Sequence, residues 1–285
     1  MLLGLVAATT WGGSDFAGGM GARRSSALLV AASGHLVTLL VLLAICAGSR
    51  FPLPHRVQFV EGAFGGLEGA LALAAFYRAL AMGSMGLTAA LTGLLTALVP
   101  VLFGLWNYGL PAPLALGGLL LGCLAIWMIA HSPGHSTPPA ALMLGAISGI
   151  GFGLQLILLK LASADGVLWA LTSARLGGVA GLFLVLVATW ILYKVRILKA
   201  ERPEPEIRLS GFWRMGILAG VLDTIGNVGF TVAAHTGRLD IAAVVSSLYP
   251  GFTIILAAII LRERPSGRQA CGMALALASV VLLSV

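Results

Sequence analysis

Ala242-Ala243-Val244-Val245-Ser246-Ser247-Leu248-Tyr249-Pro250 leads into an apolar run from Gly251 to Leu261. A charged turn follows, Arg262-Glu263-Arg264-Pro265-Ser266-Gly267-Arg268, and then a second apolar run from Ala270 to Val285. Two long apolar helices joined by so short a turn form an antiparallel hairpin. Neither has a polar face wide enough for water. The hairpin therefore belongs in a bilayer, with Arg262, Arg264 and Arg268 at headgroup level.

Composition extends this to the whole chain. With 59% hydrophobic and 9% charged residues over 285 positions and a mean hydropathy of +1.02, there is too little polar surface to cover a soluble globule. At about 20 residues per span, the length accommodates roughly ten spans. The net charge of +7 resides mostly in the turns, as headgroup anchors and topology signals rather than a nucleic-acid footprint. Cys46, Cys123 and Cys271 are odd in number and far apart, so no disulfide framework or metal spacing is expected, and no cofactor.

The first apolar run carries Trp11, Gly12, Gly13 and Asp15 before Arg23-Arg24, an unusual place for an acid in a signal peptide, and reads as a retained span. The following spans are expected near 26–47, 57–81, 85–108, 112–131, 138–162, 167–193, 212–236, 239–261 and 267–285. The chain also repeats itself. At an offset of 154, Gly66 matches Gly220, Phe76 matches Phe230, Ala79 matches Ala233, Gly83 matches Gly237, Pro111 matches Pro265 and Gly118 matches Gly272. Near the N-terminus the offset is 141, pairing Gly4 with Gly145 and Gly12 with Gly153, and the polar connection from Lys194 to Leu209 absorbs most of the difference. The expected fold is an all-α integral membrane protein of ten transmembrane helices, built as two inverted five-helix repeats, 1–135 and 136–285. An odd number of spans per repeat inverts the second copy. Alternating access follows naturally from such a pair.

The serine-rich lead, Tyr249-Pro250, the apolar run, Arg262-Glu263-Arg264-Pro265-Ser266-Gly267-Arg268-Gln269 and the glycine-containing tail resemble the second repeat of EamA-type transporters of the drug/metabolite transporter superfamily. The resemblance implies a ten-helix secondary transporter and names no substrate. It also implies both termini inside. The charge bias points the other way: with adjoining span ends included, the odd-numbered turns hold twelve Lys/Arg and the even-numbered turns four, which places both termini outside. The family's charged turn has its acid, Glu263, only in the second half; the matching positions of the first are Tyr108-Gly109-Leu110. Glu263 is read as structural.

Four charges lie well inside apolar runs: Asp15, Glu68, Arg175 and Asp223. Each costs at least about 2.5–3.5 kcal/mol near the bilayer centre and is by default a functional candidate, with an interhelical ion pair as the bland alternative. Gly216, Gly220, Asp223 and Asn227 share one face of the eighth span, small and polar together, and the third repeats the idea with Gly65, Glu68 and Ala72. Glu68 lies one residue from the position matching Asp223. Three acids against one base leave surplus negative charge that a proton or a cationic substrate group would relieve; the arginine beside acids would equally suit a zwitterion. Thr88, Thr92 and Thr96 form a stripe whose counterpart holds Ser246, Tyr249, Pro250 and Thr253. These hydroxyls either line a polar path or bond back to their own helices. Pro100 and Pro250 are expected to bend their helices. Trp11 and Tyr249 suit stacking on a substrate or anchoring at the interface, and His35 is either a proton carrier or a satisfied interhelical donor. GxxxG pairs such as Gly62/Gly66 and Gly216/Gly220 are close-packing devices.

No HExxH, P-loop, GxSxG or nucleotide-binding GxGxxG is present, so ATP-driven transport would need a separate subunit. The expected function is secondary active transport of a small polar or amphipathic metabolite, such as an amino acid or related compound, exported in exchange for protons. The substrate-binding or coupling candidates are Asp15, Glu68, Arg175, Asp223, Asn227, Trp11, His35, Thr92, Ser246 and Tyr249. Other readings are an intramembrane enzyme acting on a lipid or isoprenoid, disfavoured by single deep acids, and a non-transporting membrane scaffold. The expected location is the cell membrane, multi-pass. Expected partners are a small-molecule substrate and the lipid bilayer, with a homodimer allowed and no nucleic acid.

Overall fold

A computed structural model describes residues 2–48, 52–82, 85–130, 138–197, 212–262 and 266–284. Most of the polar connection after Lys194, and Glu263 at the hairpin tip, lie outside the described residues. The helices are α1 (Leu2–Arg24), α2 (Ala27–Gly48), α3 (Arg56–Met82), α4 (Met85–Tyr108), α5 (Pro113–Ala130), α6 (Pro139–Ala162), α7 (Val167–Ile197), α8 (Phe212–Thr236), α9 (Leu239–Ser246), α10 (Tyr249–Ile260) and α11 (Gly267–Ser284), with a single 3-10 turn at Ser163–Asp165.

Among the described residues seven stretches are long and apolar enough to cross a membrane: Ala27–Gly48, Arg56–Met82, Leu91–Tyr108, Pro139–Asp165, Val167–Ile191, Trp213–Thr236 and Leu239–Ile260. The first helix is not among them for a physical reason. It carries Thr9, Thr10, Ser14 and Asp15, and thirteen of its residues are buried. A helix wrapped by its neighbours has little need to be apolar toward lipid. Elsewhere large apolar side chains such as Leu40, Phe183, Leu184 and Ile259 point outward, as suits a surface whose solvent is hydrocarbon.

The ninth span departs from expectation. The two prolines were expected to bend their helices alike, yet α4 runs continuously through Pro100, whereas the run from 239 to 260 is two helices, α9 and α10. Pro250 sits in the first turn of α10, where its missing N–H is no loss. Ser247 N–H still bonds Ala243 O, but Leu248 N–H reaches Val245 O at 3.4 Å and Gly251 N–H reaches Leu248 O at 3.0 Å, the tighter pattern of a turn. The result is a discontinuous span buried deep in the protein.

Helix packing is reciprocal between the halves. α3 packs against α6 and α7, and α8 packs against α1 and α2; α4 lies on α6, while α9 and α10 lie on α1; α5 and α11 pack on each other. The close contacts repeat residue by residue. A Cβ on Gly62 would run into Ser173 Oγ and Ala170 O, and one on Gly216 into Ser33 Oγ and Val30 O. Gly66 abuts the Ala174 backbone in the same way as Gly220 abuts Gly34. Ser33-Gly34-His35 and Ser173-Ala174-Arg175 therefore occupy matching places, an offset of 140. These contacts exist because glycine lets backbone meet backbone.

Candidate functional site

Arg175 comes from α7 and is 4% exposed. Its Nη2 donates to Asp223 Oδ2 at 2.5 Å and to Thr224 Oγ1 at 2.9 Å, both on α8. Its Nη1 lies 3.0 Å from His35 Nε2 on α2. A guanidinium only donates, so Nε2 accepts, and Nδ1, 3.2 Å from Ala31 O, carries the ring proton. His35 is thus held as the neutral Nδ1–H tautomer, with both nitrogens engaged. By the packing register above, His35 and Arg175 are matching residues of the two halves, and they meet each other.

Asn227, one turn after Asp223, donates Nδ2 to Asp223 O at 2.9 Å and to Oδ2 at 3.0 Å. The acid is therefore held by a base, an amide and its own helix. A buried pair so satisfied is costly to break from one side, about 3–5 kcal/mol, because the other charge is left alone.

Asp15 is different. It lies on α1 and is 6% exposed, and among the described residues its Oδ2 has no hydrogen-bond partner. Asp223, another acid, lines the same cavity as Asp15. Asp15 borders a cavity lined also by Trp11, Asp223, Asn227, Tyr249, Thr96, Phe152, Gln155, Leu73 and Leu156. Measured over the positions of water centres the space is about 40 Å³, room for a few waters. Trp11 packs edge-on to Tyr249, with centroids 6.2 Å apart, and lies 5.9 Å from Phe230. Its Nε1 is buried with no hydrogen-bond partner among the described residues. A second, smaller cavity lies against His35, Arg175 and Leu171, and Gln155 and Asn227 line both spaces. Those two amides form the partition.

The structure thus gathers Trp11, Asp15, Asp223, Asn227 and Tyr249 around one cavity and places Arg175 and His35 behind it. Thr92 lies elsewhere: its hydroxyl donates to Gly145 O at 2.9 Å and ties α4 to α6. Ser246, fully buried, faces the α1 backbone near Gly4. Glu68 borders neither cavity; its carboxylate faces Gly151 on α6. Sequence reasoning missed Gln155, Phe152, Leu73 and Leu156. Gln155 had a signal, as the sole amide in the apolar run of α6; the others are apolar residues among many. Among the described residues no group of three His, Cys, Asp or Glu could hold a metal ion.

Comparison with known proteins adds to this geometry. The EamA-like transporter family matches residues 139–285, just over half of the chain. This chain belongs to that family. The match to the family covers α6 to α11, the half that supplies Arg175, Asp223, Asn227 and Tyr249. None of the curated proteins compared matches. A solved protein structure with 18% sequence identity superposes with a TM-score of 0.68, covering 99% of this chain and 94% of its own. At that identity the likeness concerns the fold alone, and it spans both the EamA-matched half and the half before it. The EamA family is one of membrane transporters of the drug/metabolite type, and the buried charges of this member sit where its two halves meet.

Proposed function

We propose that this protein is a secondary active transporter that moves a small polar or amphipathic metabolite by alternating access, in exchange for protons and in the direction of export. The observation that carries the reading is Asp15: a buried carboxylate with a free oxygen, in a cavity lined by both halves of the chain. A buried acid is expensive to retain, and among the described residues no ion pair offsets Asp15. Asp223, the first candidate from sequence, is committed to Arg175, so Asp15 is the acid free to take the coupling proton. The reciprocal packing supports ten helices arranged as two inverted repeats, because each contact of one half recurs with the roles of the halves exchanged. Such a pair has two packings of similar energy, one open to each side. The discontinuous span α9–α10 beside the cavity is of the kind that inverted-repeat transporters use near the midplane.

The test is counterflow in proteoliposomes against amino acids, polyamines, sugars and lipophilic cations, with and without a pH gradient. The expected result is saturable counterflow of at least one class and its acceleration by the gradient. Flux indifferent to the gradient removes proton coupling; conversion of an added lipid with no flux replaces transport by enzymatic action.

A further inference from the structure

The two walls of the cavity are equivalent by the repeat and differ in charge. One wall is α1 with α8, the other α6 with α3, and each pair packs together. At matching positions Asp15 stands opposite Leu156 at an offset of 141, and Asn227 opposite Leu73 at 154. All four line the cavity. The α1/α8 wall offers a free carboxylate oxygen and the Trp11 ring; the α6/α3 wall offers leucines, Phe152 and the uncharged amide of Gln155. The site therefore has one charged and one uncharged side.

We infer that the cargo is an organic monocation, an amine or ammonium with an apolar body, whose charged end sits on Asp15 and Trp11 while its body lies on Phe152, Leu156 and Leu73. This deepens the transport reading and rests on it for the movement of cargo. The argument is one of charge. Arg175 and Asp223 cancel each other, leaving Asp15 as the uncompensated charge of the cavity. An ammonium against a carboxylate forms a charge-assisted hydrogen bond in a place of low dielectric, and the indole face adds cation–π attraction. A zwitterion fits less well. Its carboxylate would need a free cation, and the guanidinium is already shared among Asp223, Thr224 and His35. Among the described residues the unpartnered donors around the cavity, Trp11 Nε1 and Tyr249 Oη, are neutral and cannot offset a full negative charge. An anion would face the carboxylate of Asp15 directly. The present space holds a few waters only, so cargo enters when the α1/α8 and α3/α6 walls part.

The experiment compares four ligands sharing one apolar body. Radiolabelled phenethylamine is bound to the purified full-length protein in detergent and competed with phenylalanine, 3-phenylpropionate and 2-phenylethanol. Counterflow of the same compounds is then measured in proteoliposomes. Phenethylamine should bind with each competitor at least about tenfold weaker, and Asp15→Asn should weaken phenethylamine by at least about tenfold with an unchanged melting temperature. Equal or tighter binding of phenylalanine or 3-phenylpropionate overturns the cation assignment, as does millimolar phenethylamine that fails to bind folded protein, or an Asp15→Asn variant of wild-type affinity. If Asp15→Asn does not fold, the ranking in the wild-type protein decides. Binding in the expected order without counterflow keeps the cation site and removes transport; counterflow of other solutes with no amine preference does the reverse.

Discussion

Asp223 and Asp15 are both acids in the middle of apolar helices, and the difference between them lies in what each touches. Asp223 is bonded by Arg175 and Asn227; Asp15 keeps a free oxygen. Asp223→Asn should therefore act first on stability. The substitution leaves Arg175 buried with only neutral partners, a loss of about 3–5 kcal/mol, and removing the orphaned charge with Arg175→Leu in the same chain should recover much of it. Thermal melting of the purified single and double variants checks this. A double variant no more stable than Asp223→Asn would show that the pair is not the reason Asp223 is retained. From sequence, the deep charges were legible as special because hydrocarbon penalises them all. Which of them were paired was not, since Arg175 and Asp223 are 48 residues apart and nothing in a helical pattern records the facing of separate helices.

At the scale of helices the GxxxG motifs divide the labour between the halves. Gly66 on α3 meets the α7 backbone at Ala174, and Gly220 on α8 meets the α2 backbone at Gly34. Because the contacts match, Gly66→Leu and Gly220→Leu should be about equally damaging, each by several kcal/mol, as the inserted side chain forces two backbones apart. Yield and melting temperature of the two variants measure it. Tolerance at one site with collapse at the other would mean that the crossings are not equivalent. The ninth span makes the opposite point. Pro100 and Pro250 have the same chemistry, yet one is absorbed into α4 and the other begins α10 after a turn at Ser247-Leu248. Proline states that a ladder bond is missing; the surrounding packing decides whether the helix continues past it.

At the scale of the molecule, one end of the bundle is cross-tied. His55 N–H donates to Asp165 Oδ2 at 2.6 Å and the ring nitrogen Nδ1 lies 2.9 Å from the same carboxylate, joining the α2–α3 and α6–α7 connections. Arg238 bridges Asp240 and Gly109 O, joining the α8–α9 and α4–α5 connections. Lys160 donates to Ala234 O, and so holds α6 to the end of α8. The His55–Asp165 and Arg238–Gly109 ties link the first half to the second, and the Lys160 tie braces the second half at the same end. The side it faces is set by insertion, and the twelve-to-four bias of Lys/Arg between the odd and even turns predicts a non-cytoplasmic tied end. A reporter fused after Val285 should then read non-cytoplasmic; a cytoplasmic reading would show that the loop charges serve as anchors and the resemblance to the family states the true topology.

The sequence by itself determined the solvent of this protein, its helical class, its internal repeat and its family, because these depend on composition, periodicity and self-similarity, which are properties of the chain read in one dimension. The tertiary structure alone decided which buried charges cancel, that Glu68 stands apart from the cavity, that Gln155 and Asn227 divide two spaces, and that one wall carries charge while its counterpart is uncharged. Each of these turns on the rotation of one helix against another. That rotation is fixed by glycine contacts between residues more than a hundred positions apart, such as Gly34 on Gly220 and Gly66 on Ala174, and no local signal in either partner specifies it.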